Sequence, residues 1–386
     1  MKLQRNGRTK ALALGAVAVV STLTLAACGS NNNNASSGSS ASASTGGSAS
    51  ASTAAADCGS GSVQLLAAGS TAQQNAISAW VQKFQAMCPN ITIDYSGTGS
   101  SAGRTSFTAG KVAFAGSDAA MSPADEAKTG SACGGTGQAI NLPMDGGPIS
   151  IGYNVPGVSN LILNADTLAQ IFDGKITTWN DPAIKALNPS ATLPSLKIQT
   201  FHRSDGSGTS ANFSAYLAAS AKSDWTYGSN SQWPAPTGQS AKGSAALAAE
   251  VSQVSGSISY FELSYATAKN ITTASILAAP GGTPVAPSGT AAAAAVSEAT
   301  QVNATGPDLA LKLAYGTTTP GAYPISLVTY EIVCDKGNNA KTLPAVKAFF
   351  NYAISPAGQQ VAASAGYMVL PTAITSKVQA EIANLS

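Results

Sequence analysis

His202-Arg203-Ser204-Asp205-Gly206-Ser207-Gly208-Thr209-Ser210 gathers a guanidinium, two glycines and several hydroxyls in one short stretch. It follows an alternating run, 196–201, and opens an apolar, Ala-rich stretch of helical pattern. The first N–H groups of a helix lack intrahelical partners and the dipole is positive there, so an anion is the natural guest. Hydroxyls and backbone amides each donate to an oxyanion, and Arg203 can give two parallel bonds. Asp205 can fix the guanidinium by an ion pair, or serve as a turn residue at the helix start. Whether the anion is held or transformed depends on the rest of the chain.

Three further turns have the same flavour. Gly69-Ser70-Thr71 follows the apolar run 63–68, Gly97-Thr98-Gly99-Ser100-Ser101 follows the alternating run 91–95, and Gly116-Ser117-Asp118 follows the run 111–115. Ala76, Ile77, Trp80, Val81, Phe84 and Met87 recur at helical spacing after the first turn. One Ser-Gly turn means little, because Ser and Gly are what turns are made of. Three at the same end of successive strands form a set. Strands alternating with helices predict an α/β domain with a largely parallel sheet, whose ligands bind beyond the strand carboxyl ends.

The elements that must position these turns continue to the C-terminus. A strand is expected at 139–144, with Asp145-Gly146-Gly147-Pro148 breaking the chain before a second strand at 149–153. This is the first crossing between two domains. A second α/β unit follows, containing the tryptophan turn Trp179-Asn180-Asp181-Pro182 and the Arg203 stretch. Residues 225–238 read as a loop, 257–261 as a strand and 281–295 as a poorly specified insert. The long run 324–333 is the return crossing, and helices at 342–353 and 356–365 complete the first domain.

Bulk properties narrow the function. At 386 residues and 44% hydrophobic, the chain is long enough for two cored domains. Lys2, Arg5, Arg8 and Lys10 precede an apolar run, 11–23, and Leu25-Ala26-Ala27-Cys28 is a small-residue cleavage site ending in Cys. Residues 1–28 therefore resemble a lipoprotein signal peptide, with Cys28 the lipidated first residue of the mature chain. Without those four cations, 16 basic residues face 18 acidic ones, a net of −2. A basic nucleic-acid footprint is thus absent, and no nucleic-acid partner is expected. Residues 29–56 are almost all Ser, Ala, Gly, Asn and Thr, and read as a flexible tether. Cys58, Cys88, Cys133 and Cys334 remain in an exported chain, so two disulfides are expected in one of three connectivities. Cys58 with Cys88 and Cys133 with Cys334 is the pairing we favour.

Catalysis is not expected. His202 is the chain's single histidine, and its spacing of three and five residues from Asp205 and Ser207 at a helix start does not assemble a triad. If 202 and 203 both lie on the strand, His202 points opposite to Arg203. One histidine and scattered acids supply no metal cluster, no P-loop lysine motif occurs, and neither metal nor cofactor is expected.

Gly69-Ser70-Thr71, Gly99-Ser100-Ser101, Gly116-Ser117-Asp118, Gly174-Lys175-Ile176 with Trp179, Arg203 through Thr209, Gly256-Ser257-Ile258 with Tyr260, and Tyr323-Pro324-Ile325 occur in this order behind a lipobox. In this the chain resembles the phosphate-binding lipoproteins of bacterial ABC phosphate importers, from about Val63 onward. The resemblance implies a two-lobed periplasmic-binding-protein fold, type II-like, each lobe a mixed sheet flanked by helices and joined by two crossing strands. Lobe I would be 57–145 with 323–386, and lobe II 146–322. It implies a monomer, lipid-anchored on the outer face of the cytoplasmic membrane, that closes on one inorganic phosphate and delivers it to membrane permease subunits.

Carried over by motif, the implied phosphate ligands are Thr71, the N–H of Ala72, Ser100, Asp118, Arg203, Ser207, Gly208 and Thr209, with Asp205 in support. Ala72 stands where many relatives have an aromatic, and Arg104 adds a cation a turn beyond Ser100 whose direction the sequence leaves open. Asp118 is the discriminating residue. An ionised carboxylate only accepts, so it favours an anion that brings a proton. Phosphate brings one and sulfate at neutral pH does not. The other readings are a sulfate, molybdate or phosphonate binder, a surface protein that has lost binding, and a surface hydrolase.

Overall fold

The computed structural model describes residues 58, 59 and 61–386. The expected signal segment with Cys28 and the expected tether lie outside the described residues. The first part of the chain runs β1 (Val63–Gly69), α1 (Gln74–Met87), β2 (Ile91–Gly97), α2 (Ser100–Thr108), β3 (Phe114–Ser117), α3 (Pro123–Glu126) and β4 (Ala139–Asn154). Next come β5 (Ile162–Asn164), α4 (Ala165–Phe172), α5 (Pro182–Leu187), β6 (Gln199–Arg203), α6 (Gly208–Ser220), β7 (Gln239–Ala241), α7 (Ser244–Gln253), β8 (Ser257–Glu262) and α8 (Leu263–Ala268). The chain ends with β9 (Thr272–Thr273), β10 (Ser275–Leu277), α9 (Gly289–Val296), β11 (Thr300–Gln301), β12 (Leu311–Lys312), β13 (Ser326–Cys334), α10 (Leu343–Ile354), α11 (Pro356–Ser364) and α12 (Thr372–Asn384).

One mixed sheet organises the fold, in the order β2-β1-β3-β13-β4-β8-β6-β7, with β9 also on β4. Within each half the pairing is parallel, β1 with β2 and β3, and β6 with β7 and β8. The halves are joined by antiparallel β13 and β4. Two apolar clusters flank this seam. One gathers Trp80, Phe84, Phe114, Phe349 and Phe350, the other Phe172, Trp179, Phe213, Trp225 and Tyr260. β4 feeds both, with Ile140, Leu142 and Met144 in the first and Ile149, Ile151 and Tyr153 in the second. The result is a two-lobed α/β fold.

Three expectations need correction. Asp145–Pro148 does not break the chain, because β4 is continuous over 16 residues and buried throughout except at Asn154. Pro148, which has no N–H to donate, sits where pairing passes from β13, at Ser326, to β8, which begins at Ile149. The irregularity is instead a bulge at Met144, between the pairs Tyr330 with Pro143 and Thr329 with Asp145. The third strand starts at Phe114 rather than 111, because pairing with β1 begins at Ala67 opposite Phe114. The 281–295 insert contains α9, capped by the Ser288 side chain on the Ala291 N–H. Its Ala292 and Val296 pack in the first cluster and Ala291 in the second.

Both disulfides form in the favoured pairing. Cys58–Cys88 ties the start of the described chain to the end of α1, and Cys133–Cys334 ties the loop after α3 to the end of β13.

Candidate functional site

Six strand ends converge. β1, β2 and β3 end at Ser70-Thr71, Ser100 and Asp118, while β6, β7 and β8 end at the Arg203 stretch, Ser244 and Glu262. The parallel pairing within each half puts its three ends on one edge, where open α/β sheets bind ligands. Because the antiparallel β13 and β4 make the two halves run in opposite directions, the two sets of ends face each other across the middle of β4.

In the first half the centre is Asp118, only 3% exposed. Its Oδ1 accepts from the Ser70 hydroxyl and from the Thr329 hydroxyl at 2.9 Å, and its Oδ2 from the Ser100 hydroxyl at 3.1 Å. Burial raises the Asp118 pKa, while these three hydroxyls and the Arg203 charge pull it back. Arg104 does not bond the carboxylate. It donates to the Ser117 hydroxyl, the Ala119 carbonyl and the Ser101 hydroxyl, bracing the loops on either side.

In the second half the Arg203 guanidinium is 2% exposed and grips Asp205 with two bonds, Nε to Oδ1 at 2.7 Å and Nη2 to Oδ2. Burial works against the Arg203 charge, but Asp205 outweighs it and the pKa is raised. Asp205, also opposed by burial, is held below the usual carboxylate range by Arg203. The ion-pair reading of Asp205 therefore holds. Arg203 Nη1 donates to the Ser244 hydroxyl at 3.2 Å. Ser207 caps α6 by accepting from the Ser210 N–H, and Thr209 donates to Glu262 Oε1 at 2.7 Å.

The two halves touch through the expected ligand residues. The Gly208 N–H donates to the Ser100 hydroxyl at 3.2 Å, and Asn212 Nδ2 to the Asp118 carbonyl at 2.7 Å. Thr71 meets Ser244, whose N–H donates to the Thr71 hydroxyl at 3.2 Å, and the Tyr265 hydroxyl donates to the Thr71 carbonyl at 2.6 Å. A Cβ on residue 208 would lie 2.5 Å from the Asp118 Cβ, so glycine there is what lets the α6 terminus reach the carboxylate. The Ala72 N–H donates to the Ser70 hydroxyl at 2.9 Å, and the residue is fully buried. His202 lies half-buried against Trp233, rings 5.6 Å apart and nearly parallel, away from Asp205.

Sequence reasoning missed Ser70, Asn212, Ser244, Glu262, Tyr265 and Thr329. Gly243-Ser244 opens α7 behind a strand end, the same signal that marked the other turns. Glu262 closes a foreseen strand, so its position was readable. Thr329 lies mid-strand on the return crossing, and only the pairing of β13 with β3 and β4 brings it to Asp118.

This arrangement has known counterparts. Over 328 residues the chain is 39% identical to the phosphate-binding protein PstS3 of Mycobacterium bovis (strain BCG), covering 84% of this chain and 87% of the relative. Two solved structures share the fold. One is the high affinity periplasmic phosphate-binding protein PfluDING bound with phosphate, with TM-score 0.64 and 22% identity over 82% of this chain and 93% of that one. The other is an ABC-type phosphate transport receptor from Vibrio cholerae, with TM-score 0.51 and 15% identity over 80% and 100%. The PBP superfamily domain matches residues 38–357. The chain therefore belongs to the PBP superfamily and, within it, to the PstS family of phosphate-binding proteins.

Proposed function

We propose that this chain is the extracytoplasmic substrate-binding component of an ABC importer, holding inorganic phosphate between two lobes, 57–145 with 323–386 and 146–322, and passing it unchanged to membrane permease subunits. The observation that carries the reading is Asp118, a buried carboxylate ringed by three hydroxyls and facing the α6 N-terminus. A site of donors alone would take any oxyanion. One acceptor among donors selects an anion that carries a proton.

The ligand set is Thr71, Ala72, Ser100, Asp118, Arg203, Ser207, Gly208 and Thr209, with Asp205 holding the guanidinium. Ser100 and Gly208 bond each other directly, so phosphate enters only when the halves part and then replaces that bond with bonds to its own oxygens. Lobe motion about β4 and β13 fits such an exchange. No step breaks a bond of the ligand, and the relatives' names describe binding proteins rather than enzymes. The protein would work as a monomer, lipid-anchored through Cys28 on the outer face of the cytoplasmic membrane.

Titration calorimetry tests the reading. Phosphate is expected to bind tightly and sulfate not to compete. Equal binding of both anions would sink the carboxylate logic, and release of free phosphate from an ester would restore a hydrolase.

A further inference from the structure

Glu262 ends β8 inside the site, 3% exposed, where it accepts the Thr209 hydroxyl at 2.7 Å through Oε1. Its Oε2 is buried and makes no hydrogen bond of good geometry, although the Ser244 hydroxyl lies close enough to act on it. Ser244 in turn receives Arg203 Nη1 and meets Thr71. A carboxylate thus draws on hydroxyls that the anion also needs.

A threonine hydroxyl has one proton to give. If Thr209 donates to phosphate, as the proposed function requires, it no longer donates to Glu262. Two bare acceptors, Glu262 Oε1 and Thr209 Oγ1, would then face each other at 2.7 Å. The contact survives only if Glu262 carries a proton and donates it to Thr209, which passes its own hydrogen to the phosphate oxygen. We infer that Glu262 is the proton-linked positioning residue of the site, protonated whenever phosphate takes the Thr209 hydroxyl, so that binding of the dianion is accompanied by a proton from solvent.

The surroundings favour that form. Burial, then the Asp118 charge, raise the Glu262 pKa, against Thr209, Ser244 and Arg203. The other groups that feel Glu262 are Asp145 on β4, Tyr265 on α8 and Tyr367 after α11. Arg203 is the cation among them, and Asp205 already balances it. An arriving dianion makes an ionised Glu262 costlier still.

The inference rests on the phosphate reading, and one experiment separates the two. Full-length wild type and Glu262→Gln are titrated with inorganic phosphate from about pH 6 to about pH 9 in buffers of different ionisation heat, which counts protons taken up. A glutamine amide donates to Thr209 as the protonated acid would. Wild-type affinity is expected to fall with pH more steeply than the variant's, by up to about tenfold per pH unit, with up to one more proton taken up per phosphate. Glu262→Gln should therefore bind better than wild type at the alkaline end. Parallel profiles with equal proton counts overturn the inference, as does a glutamine variant that folds but binds no phosphate. Failure of the wild type itself to bind phosphate would instead overturn the proposed function.

Discussion

Asp118 and Asp145 are both buried carboxyl groups, and Thr329 stands between them. Its hydroxyl donates to Asp118, and it pairs with Asp145 across the β13–β4 ladder. Asp118 collects three hydroxyl donors. Neither Asp145 oxygen makes a hydrogen bond of good geometry, and Glu331, two residues beyond Thr329, is in the same position. Burial pushes Asp145 up to about 8, with Asp118 and Glu262 adding to the rise and Thr329 only tempering it. Burial therefore says nothing by itself about a carboxyl's role. The number of donors around it decides whether it serves as an acceptor or stays a neutral acid.

The largest effect should come from removing the acceptor. Asp118→Asn keeps the shape but offers an amide N–H where, on the proposed function, the carboxylate accepts the ligand's proton. Loss of a charge-assisted bond plus a buried mismatch should weaken phosphate about a hundredfold or more. Sulfate, which the proposed function excludes, should gain. Competition calorimetry reads the ratio, and a uniform loss for both anions would show that Asp118 only shapes the loop.

The same change at Asp145 should act on stability and leave anion preference unmoved. A folded pKa of about 8 lies above the unfolded value, so the folded state binds the extra proton. The resulting stability is fully present below about pH 4, declines as pH rises and is lost by about pH 8. Asp145→Asn needs no such proton. It should match wild type near pH 4 and exceed it by about 5 kcal/mol at pH 8, flattening the profile. Thermal melts across this range check the sign, and a variant less stable at pH 8 would mean that the carboxylate has a cation or water partner.

The contrast also marks what the sequence could disclose. The Gly-hydroxyl turns at Ser70, Ser100, Asp118 and Ser207 were legible because strand, turn and helix start are all local patterns. Which neighbour each side chain meets was not. At 70 and 71 the turn sends Ser70 to Asp118 and Thr71 to Ser244, a division set by backbone direction that composition does not encode. Asp145-Gly146-Gly147-Pro148 reads as a breaker on local grounds, yet the handover from β13 to β8 accommodates the proline. Thr329 reaches the site only through pairings of strands far apart in sequence, to which local periodicity is blind.

Thr329→Val gives the smallest effect and the most direct reading of the link between the two carboxyls. Valine keeps the branched shape that suits a buried strand but removes the hydroxyl. Asp118 would keep Ser70 and Ser100 as donors, so phosphate should weaken only about tenfold, the value of one bond to a charged group. The phosphate-to-sulfate ratio should hold, because the acceptor remains. Asp145 loses the one hydroxyl that tempers it, so its folded pKa should climb further and the alkaline limb of the stability profile should move up in pH. A change in anion ratio comparable to that of Asp118→Asn would mean that Thr329, rather than the ring of three hydroxyls, sets the acceptor. An unmoved stability profile would mean that the two carboxyls are independent despite the hydroxyl between them.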